Sequence, residues 1–216
     1  MSEREAPDAL LLMAPGCAHC PVVLQNLSQL LKQGRIGRLE AVNIIQHPVI
    51  AQSVGTRTVP WTRIGCFELE GVLSLGELER WIDLTGQDEG KASYLIHLFE
   101  TQRAHAAVTW LQRNPDAMPE LLGLLRSPTT PIVARIGIGV VAEELQGTPL
   151  WQSTLTDLLK LAQSPDAALR ADTAHYMGLT RSSDAIEPLR GMLDDDNPDV
   201  REIANESLEL LNGRDS

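Results

Sequence analysis

Apolar positions along this chain follow two regimes. Up to about residue 87, short apolar runs alternate with helical stripes; beyond it every segment carries the period of a helix. Ala9 to Ala14 is apolar throughout and is closed by Pro15-Gly16, which predicts a buried strand ending in a loop. Pro21 to Gln33 predicts a helix. Val23, Leu24, Leu27, Leu30 and Leu31 recur at helical spacing, Pro21 suits the first turn, and Gly34 stops the run. Leu39 to Ile44 is a second strand, with Leu39, Ala41 and Asn43 alternating against Glu40, Val42 and Ile44. A strand, a crossover helix and a strand make a βαβ unit, so these two strands should be parallel. Pro48 to Val54 reads as a short helix. Trp61 to Ile64 and Phe67 to Leu73 read as strands joined near Gly65. Ser74 and Glu77 form the signature of a capping box, opening a helix whose apolar face is Leu75, Leu78, Trp81, Ile82 and Leu84.

Gln87-Asp88-Glu89-Gly90-Lys91 reads as a polar linker, dividing the chain into domains at 1–88 and 89–216. A single flanking helix, Ser93 to Arg113, is expected next. Then a motif recurs. Leu121-Leu122-Gly123-Leu124-Leu125-Arg126-Ser127-Pro128 is answered by Leu158-Leu159-Lys160-Leu161-Ala162-Gln163-Ser164-Pro165, and more weakly by Leu189-Arg190-Gly191-Met192-Leu193 leading to Asn197-Pro198. The period, roughly 33 to 37 residues, is long enough for a helix pair. Leu169-Arg170 is answered by Val200-Arg201, and Asp166 and Asp199 each follow the proline that opens such a helix; the copy at Val133-Ala134-Arg135 is degenerate.

Composition narrows the partners. The formal net charge is -11, and a surface this acidic repels phosphate backbones and anionic lipid, so neither nucleic acid nor membrane is expected. No apolar run reaches the length of a membrane span, and the acidic N-terminus does not read as a signal peptide. Three cysteines, two of them in one motif, do not make a structural disulfide framework, which agrees with a reducing, cytoplasmic setting.

The chemistry lies in Gly16-Cys17-Ala18-His19-Cys20-Pro21. It sets two thiols one helical turn apart at the start of a helix, where unpaired N–H groups and the helix dipole favour thiolate over thiol. Cys17, nearer solvent, is the candidate attacking thiol, and Cys20, one turn inside, the candidate resolving thiol. His19 reads either as a cationic neighbour that makes the disulfide more oxidising or as an exposed polar residue. Cys17, His19, Cys20 and Cys66 are also of the types zinc prefers, but adjacent His19 and Cys20 aim poorly at one ion, and we expect no metal. Cys66 itself reads as a spectator thiol. The remaining histidines are scattered.

The order β-α-β-α-β-β-α with Cys-x-x-Cys after the first strand resembles the thioredoxin superfamily. Thr58-Val59-Pro60-Trp61, just ahead of the third strand, supports that resemblance. It implies that Pro60 is a cis-proline packed beside the redox pair and that the backbone of Val59 pairs with substrate peptide. Cys-x-x-Cys-Pro-x-Val with the later Val-Gly…Val-Pro segment resembles most closely the N-terminal part of the alkyl hydroperoxide reductase flavoprotein and the archaeal protein disulfide oxidoreductases. Gly16 stands where thioredoxins usually carry tryptophan. Leu11 stands where they keep a buried aspartate that serves proton transfer around the second cysteine, so the acceptor of the Cys20 proton is unassigned. The second half resembles HEAT-like repeats of the phycobilisome-lyase type, which implies that Arg170, Arg201, Asp166 and Asp199 tie neighbouring repeats together; the lyase activity does not carry over.

The expectation is therefore an α/β thioredoxin-like domain followed by an all-α HEAT-like solenoid: a cytoplasmic thiol–disulfide oxidoreductase whose repeats choose a protein partner. It needs no cofactor beyond a redox-active Cys17–Cys20 disulfide. Its partners are a protein client and an unidentified electron donor, and its oligomeric state is open. The alternatives are a non-enzymatic adaptor with a redox-sensing Cys-x-x-Cys, or a metal or iron–sulfur carrier using the same pair.

Overall fold

The structure, a computed structural model, describes residues 5–213. The chain divides into two compact units between Gly90 and Lys91.

The first unit runs β1 (Ala9–Met13), α1 (Cys20–Lys32), β2 (Leu39–Asn43), α2 (Pro48–Val54), β3 (Trp61–Ile64), β4 (Phe67–Glu70), α3 (Leu75–Leu84). The strands form one mixed sheet in the order β2-β1-β3-β4. β1 and β2 are parallel, as a helical crossover requires; β3 lies antiparallel to β1, and β4 to β3. Because side chains alternate, the sheet has two distinct faces. Leu10, Leu12, Val42 and Trp61 share one face and bury Ala51 of α2. The other carries the cross-strand rows Leu11–Thr62–Leu69 and Ala9–Ile64–Phe67. α3 packs there, with the Trp81 and Phe67 rings 5.2 Å apart, and α1 packs beside α3. Cys20, Val23, Leu27 and Leu30 form the buried stripe of α1. Each such aliphatic side chain contributes about 1.5–3 kcal/mol on burial.

β4 is shorter than the expected Phe67 to Leu73. Gly71, at φ 89°, turns the chain out of the strand, and its N–H donates to the Pro60 carbonyl at 2.9 Å. Ser74 caps α3 as expected, its hydroxyl accepting from the Glu77 N–H while the Glu77 carboxylate accepts from the Ser74 N–H.

The predicted linker is a helix instead. α4 spans Asp88–Glu100. Gly90 is not there for flexibility, since a Cβ at this position would lie 2.1 Å from the Leu84 carbonyl oxygen. The expected single helix Ser93 to Arg113 is two, α4 and α5 (Ala104–Arg113). Gln102 adopts a left-handed φ of 58°, and the bonds from Gln102 N–H to Phe99 and from Arg103 N–H to Leu98 close a Schellman motif without glycine.

The second unit continues with a short 3₁₀ turn, α6 (Met118–Arg126), α7 (Ile132–Glu144), α8 (Pro149–Gln152), α9 (Leu155–Leu161), α10 (Ala167–Leu179), a second 3₁₀ turn, α11 (Ile186–Met192) and α12 (Pro198–Asn212). α5, α7, α10 and α12 pack side by side; α6, α9 and α11 pack beneath α7, α10 and α12. Trp151 on α8 is fully buried and donates its indole N–H to the Tyr176 carbonyl at 3.1 Å, pinning α8 to α10. Among the described residues no helix is long and apolar enough to cross a membrane.

Candidate functional site

The loop after β1 explains how the two sulfurs reach one another. Pro15 and Gly16 occupy the centre of a tight turn, Gly16 at φ 80°, and the Cys17 N–H donates to the Ala14 carbonyl at 3.3 Å. A left-handed second position is what a Pro-Gly type II turn requires. The turn delivers Cys17 to the start of α1, where it forms a disulfide with Cys20 across a Cα–Cα distance of 5.5 Å. Cys17 is half-buried and Cys20 is buried. The Cys20 N–H donates to the Cys17 sulfur at 3.1 Å. No acidic residue lies in the first turn of α1, so the positive end of the helix acts on that sulfur unopposed. Once the bond opens, negative charge is therefore favoured on Cys17. His19 is the N-cap residue; its side chain is exposed and makes no capping hydrogen bond.

Val59 and Pro60 lie at the same end of the sheet. Trp61 pairs with Leu12, one residue before β1 ends, so the residues just ahead of Trp61 flank the point where the chain leaves for Cys17. The Val59–Pro60 peptide is cis. Pro60 is buried, and Val59 is partly buried against the core on the α2 side. The approach to this loop is held by Thr56, whose hydroxyl accepts from the Thr58 N–H at 3.2 Å. Among the described residues the N–H and carbonyl of Val59 have no hydrogen-bond partner.

Cys66 is elsewhere. It sits in the β3–β4 turn, beyond Ile64, which pairs with Ala9 at the start of β1; that is the opposite end of the sheet from Cys17. Among the described residues no group of three His, Cys, Asp or Glu side chains is placed to hold a metal ion.

In the second unit the arginines do related work. Arg170 donates to the Ser164 and Pro165 carbonyls, and Arg201 to those of Asp195 and Asp196. Arg135, in the degenerate copy, donates to Leu125 and Ser127. Each thus closes the turn that precedes its own helix. Arg170 also grips Asp195 with two hydrogen bonds of 2.7 Å, reaching from one repeat to the turn before α12. Asp166 stays within its own helix, its carboxylate accepting from the Ala168 N–H. Asp199 lies in the first turn of α12, where a negative charge suits the helix dipole. The aspartate that crosses between repeats is therefore Asp195, one of three consecutive aspartates in the sequence. The Arg170 guanidinium, then the Asn197 N–H, hold its carboxyl down to about 2. Thr62 is the other residue that the sequence did not single out. It is fully buried, and its hydroxyl has no hydrogen-bond partner.

Comparison with known families agrees with the repeat geometry. Residues 139–209 match HEAT repeats. The match covers α8, α9, α10 and α11, most of α12 and the end of α7, and so includes both sides of the Arg170–Asp195 contact between α10 and the turn before α12. These are HEAT-like repeats, an architecture that generally mediates protein–protein interaction. No curated protein matches the chain.

Proposed function

We propose that this chain is a thioredoxin-like thiol–disulfide oxidoreductase acting on protein disulfides in the cytoplasm, with its HEAT-like repeats recognising the partner. The observation that carries the reading is the Cys17–Cys20 disulfide at the start of α1, with the unpartnered Val59 backbone at the same end of the sheet. The element order β-α-β-α-β-β-α with parallel β1 and β2, on which the thioredoxin resemblance was drawn, supports the reading.

In the reducing direction, the Cys17 thiolate attacks one sulfur of a partner disulfide. The Cys17–partner bond forms as the partner's own S–S bond breaks, and one partner thiolate leaves. The partner chain lies extended along Val59 and pairs with its free N–H and carbonyl. Cys20, as a thiolate, then attacks the Cys17 sulfur, releases the second partner thiolate and restores the Cys17–Cys20 bond. An external thiol donor returns the two electrons. The repeats raise the partner's effective concentration at Cys17. Exposed apolar residues on α7, Ile132 at 77% and Ile136 at 64%, are the first surface to test for that contact.

Reduction of insulin disulfides by the full chain, beside Cys17→Ser, tests the chemistry. Wild type should turn over insulin with a thiol donor and Cys17→Ser should not; equal inertness with every donor tried refutes the enzyme reading. Cys20→Ser should hold a client from cell extract as a mixed disulfide on Cys17.

A further inference from the structure

Among the described residues, the buried layer between the sheet and α1 and α3 is apolar but for the indole N–H of Trp81 and two further side chains. One is Cys20, on the buried stripe of α1. The other is Thr62, at 0% exposure, in the cross-strand row between Leu11 and Leu69. The side chains that α1 and α3 bury in this unit, Val23, Leu27, Leu30, Leu78, Trp81 and Ile82, carry no charge. Among the described buried residues of α1 and α3, Cys20 is thus the titratable one. The Thr62 hydroxyl has no hydrogen-bond partner while the disulfide is closed. Buried polar side-chain atoms are nearly always paired, because leaving one unpaired forfeits its solvation with nothing in return. Valine has the same shape and would fill the site without that penalty.

Topology puts this hydroxyl at the Cys20 end of the layer. α1 returns antiparallel to β1 in the βαβ crossover, so its first turn lies over the end of β1. Thr62 pairs with Leu11, two residues before β1 ends, and follows Pro60 by two positions.

We propose that the Thr62 hydroxyl is a positioning residue for Cys20: it donates a hydrogen bond to the Cys20 sulfur when the disulfide opens. An external thiolate attacks the Cys17 sulfur, the Cys17–Cys20 bond breaks, and Cys20 leaves as a thiolate buried among hydrocarbon. A hydroxyl donor offsets part of the cost of that buried charge. In the resolving step the same bond holds the thiolate until it attacks Cys17, after which the hydroxyl is again unpaired. With Leu11 supplying no acid, Thr62 is the buried hydroxyl of this layer that stands without a partner. The inference rests on the reading that the pair cycles between disulfide and dithiol.

Thr62→Val and Thr62→Ser in the full chain test it. The readout is the equilibrium of the Cys17–Cys20 pair with reduced and oxidised glutathione. Thr62→Val should shift that equilibrium about tenfold towards the disulfide, about 30 mV more reducing, and Thr62→Ser should restore it. In Cys17→Ser protein, Thr62→Val should also raise the pH at which the Cys20 thiolate absorbs, read against Cys17→Ser/Cys20→Ser. Oxidised Thr62→Val should be at least as stable as wild type, because it loses no bond. An unchanged equilibrium, or an oxidised Thr62→Val that unfolds, overturns the proposal. A wild type that equilibrates with glutathione but leaves insulin intact sinks the oxidoreductase reading and leaves this one standing.

Discussion

Gly178 sits where α10 meets α12, and replacing it with alanine probes how tightly the repeats stack. An added Cβ would lie 2.8 Å from the Ser207 Cβ, 2.9 Å from its Oγ and 3.2 Å from its Cα. Ordinary carbon contacts are about 3.5–4.0 Å, so the new methyl is short by about 1 Å. Ser207 is buried, and rotating its hydroxyl away does not move its Cβ or Cα. The helices must separate instead, and such overpacking costs about 1–3 kcal/mol. Against this, alanine is better than glycine inside a helix by about 1 kcal/mol. The net expectation is a loss of up to about 2 kcal/mol. Gly123→Ala in α6 is the matched control, since nothing lies within 4 Å of its added Cβ. There only the helical gain remains, and the same substitution should stabilise. Because the chain has two units, a global melt blends two transitions; hydrogen exchange read on peptides from α10 and α12 isolates the interface. Gly178→Ala should exchange up to roughly 30-fold faster there than wild type. Exchange as slow as in wild type would refute the packing argument.

Two further outcomes follow from the second unit. Arg170 holds the Asp195 carboxyl below its ordinary value, down to about 2, so its folded value lies below its unfolded one. Its contribution is complete above the ordinary carboxylate range and is lost as pH falls from ~5 towards about 2. Asp195→Asn should melt below wild type at neutral pH, and the two should converge as the pH falls through that window; a gap that does not change with pH would mean the ion pair is not its source. Gln102, left-handed at φ 58°, should tolerate glycine with a gain of about 1 kcal/mol, measured as slower amide exchange at the end of α4; faster exchange would show that the side chain contributes more than its backbone costs.

Much of the first unit was legible because its punctuation is local. Pro15-Gly16 announces a type II turn, Ser74 and Glu77 announce a capping box, and β1, α1 and β2 follow from period alone. The candidate site was legible for the same reason. Two thiols one turn apart, and a Val-Pro step ahead of β3, meet at one end of the sheet once β3 pairs antiparallel with β1. The errors fall where tertiary packing gives a residue a use its type does not advertise. Gly90 looks like a linker glycine but is a close-approach glycine in a helix. Gln102 does the work usually left to glycine, so the end of α4 carries no sequence mark. Among Asp194, Asp195 and Asp196 nothing in the sequence distinguishes the residue that Arg170 reaches, because the choice depends on how two repeats stack.

Thr62 was illegible for a subtler reason. In Trp61-Thr62-Arg63-Ile64 the strand period separates Trp61 and Arg63 from Thr62 and Ile64, but an isolated strand does not reveal that both faces are covered. Threonine is an ordinary strand residue on a solvated face, where water pairs its hydroxyl. Only with α1 and α3 on one face and α2 on the other does Thr62 become a buried hydroxyl without a partner. Stability alone would favour valine there. The residue is therefore poorly matched to the disulfide form and better matched to one in which Cys20 is a thiolate in need of a donor. A mismatch in one state and a match in the other is what a pair that cycles between them would require, which makes Thr62→Val a sharper probe of this site than substitution of either cysteine.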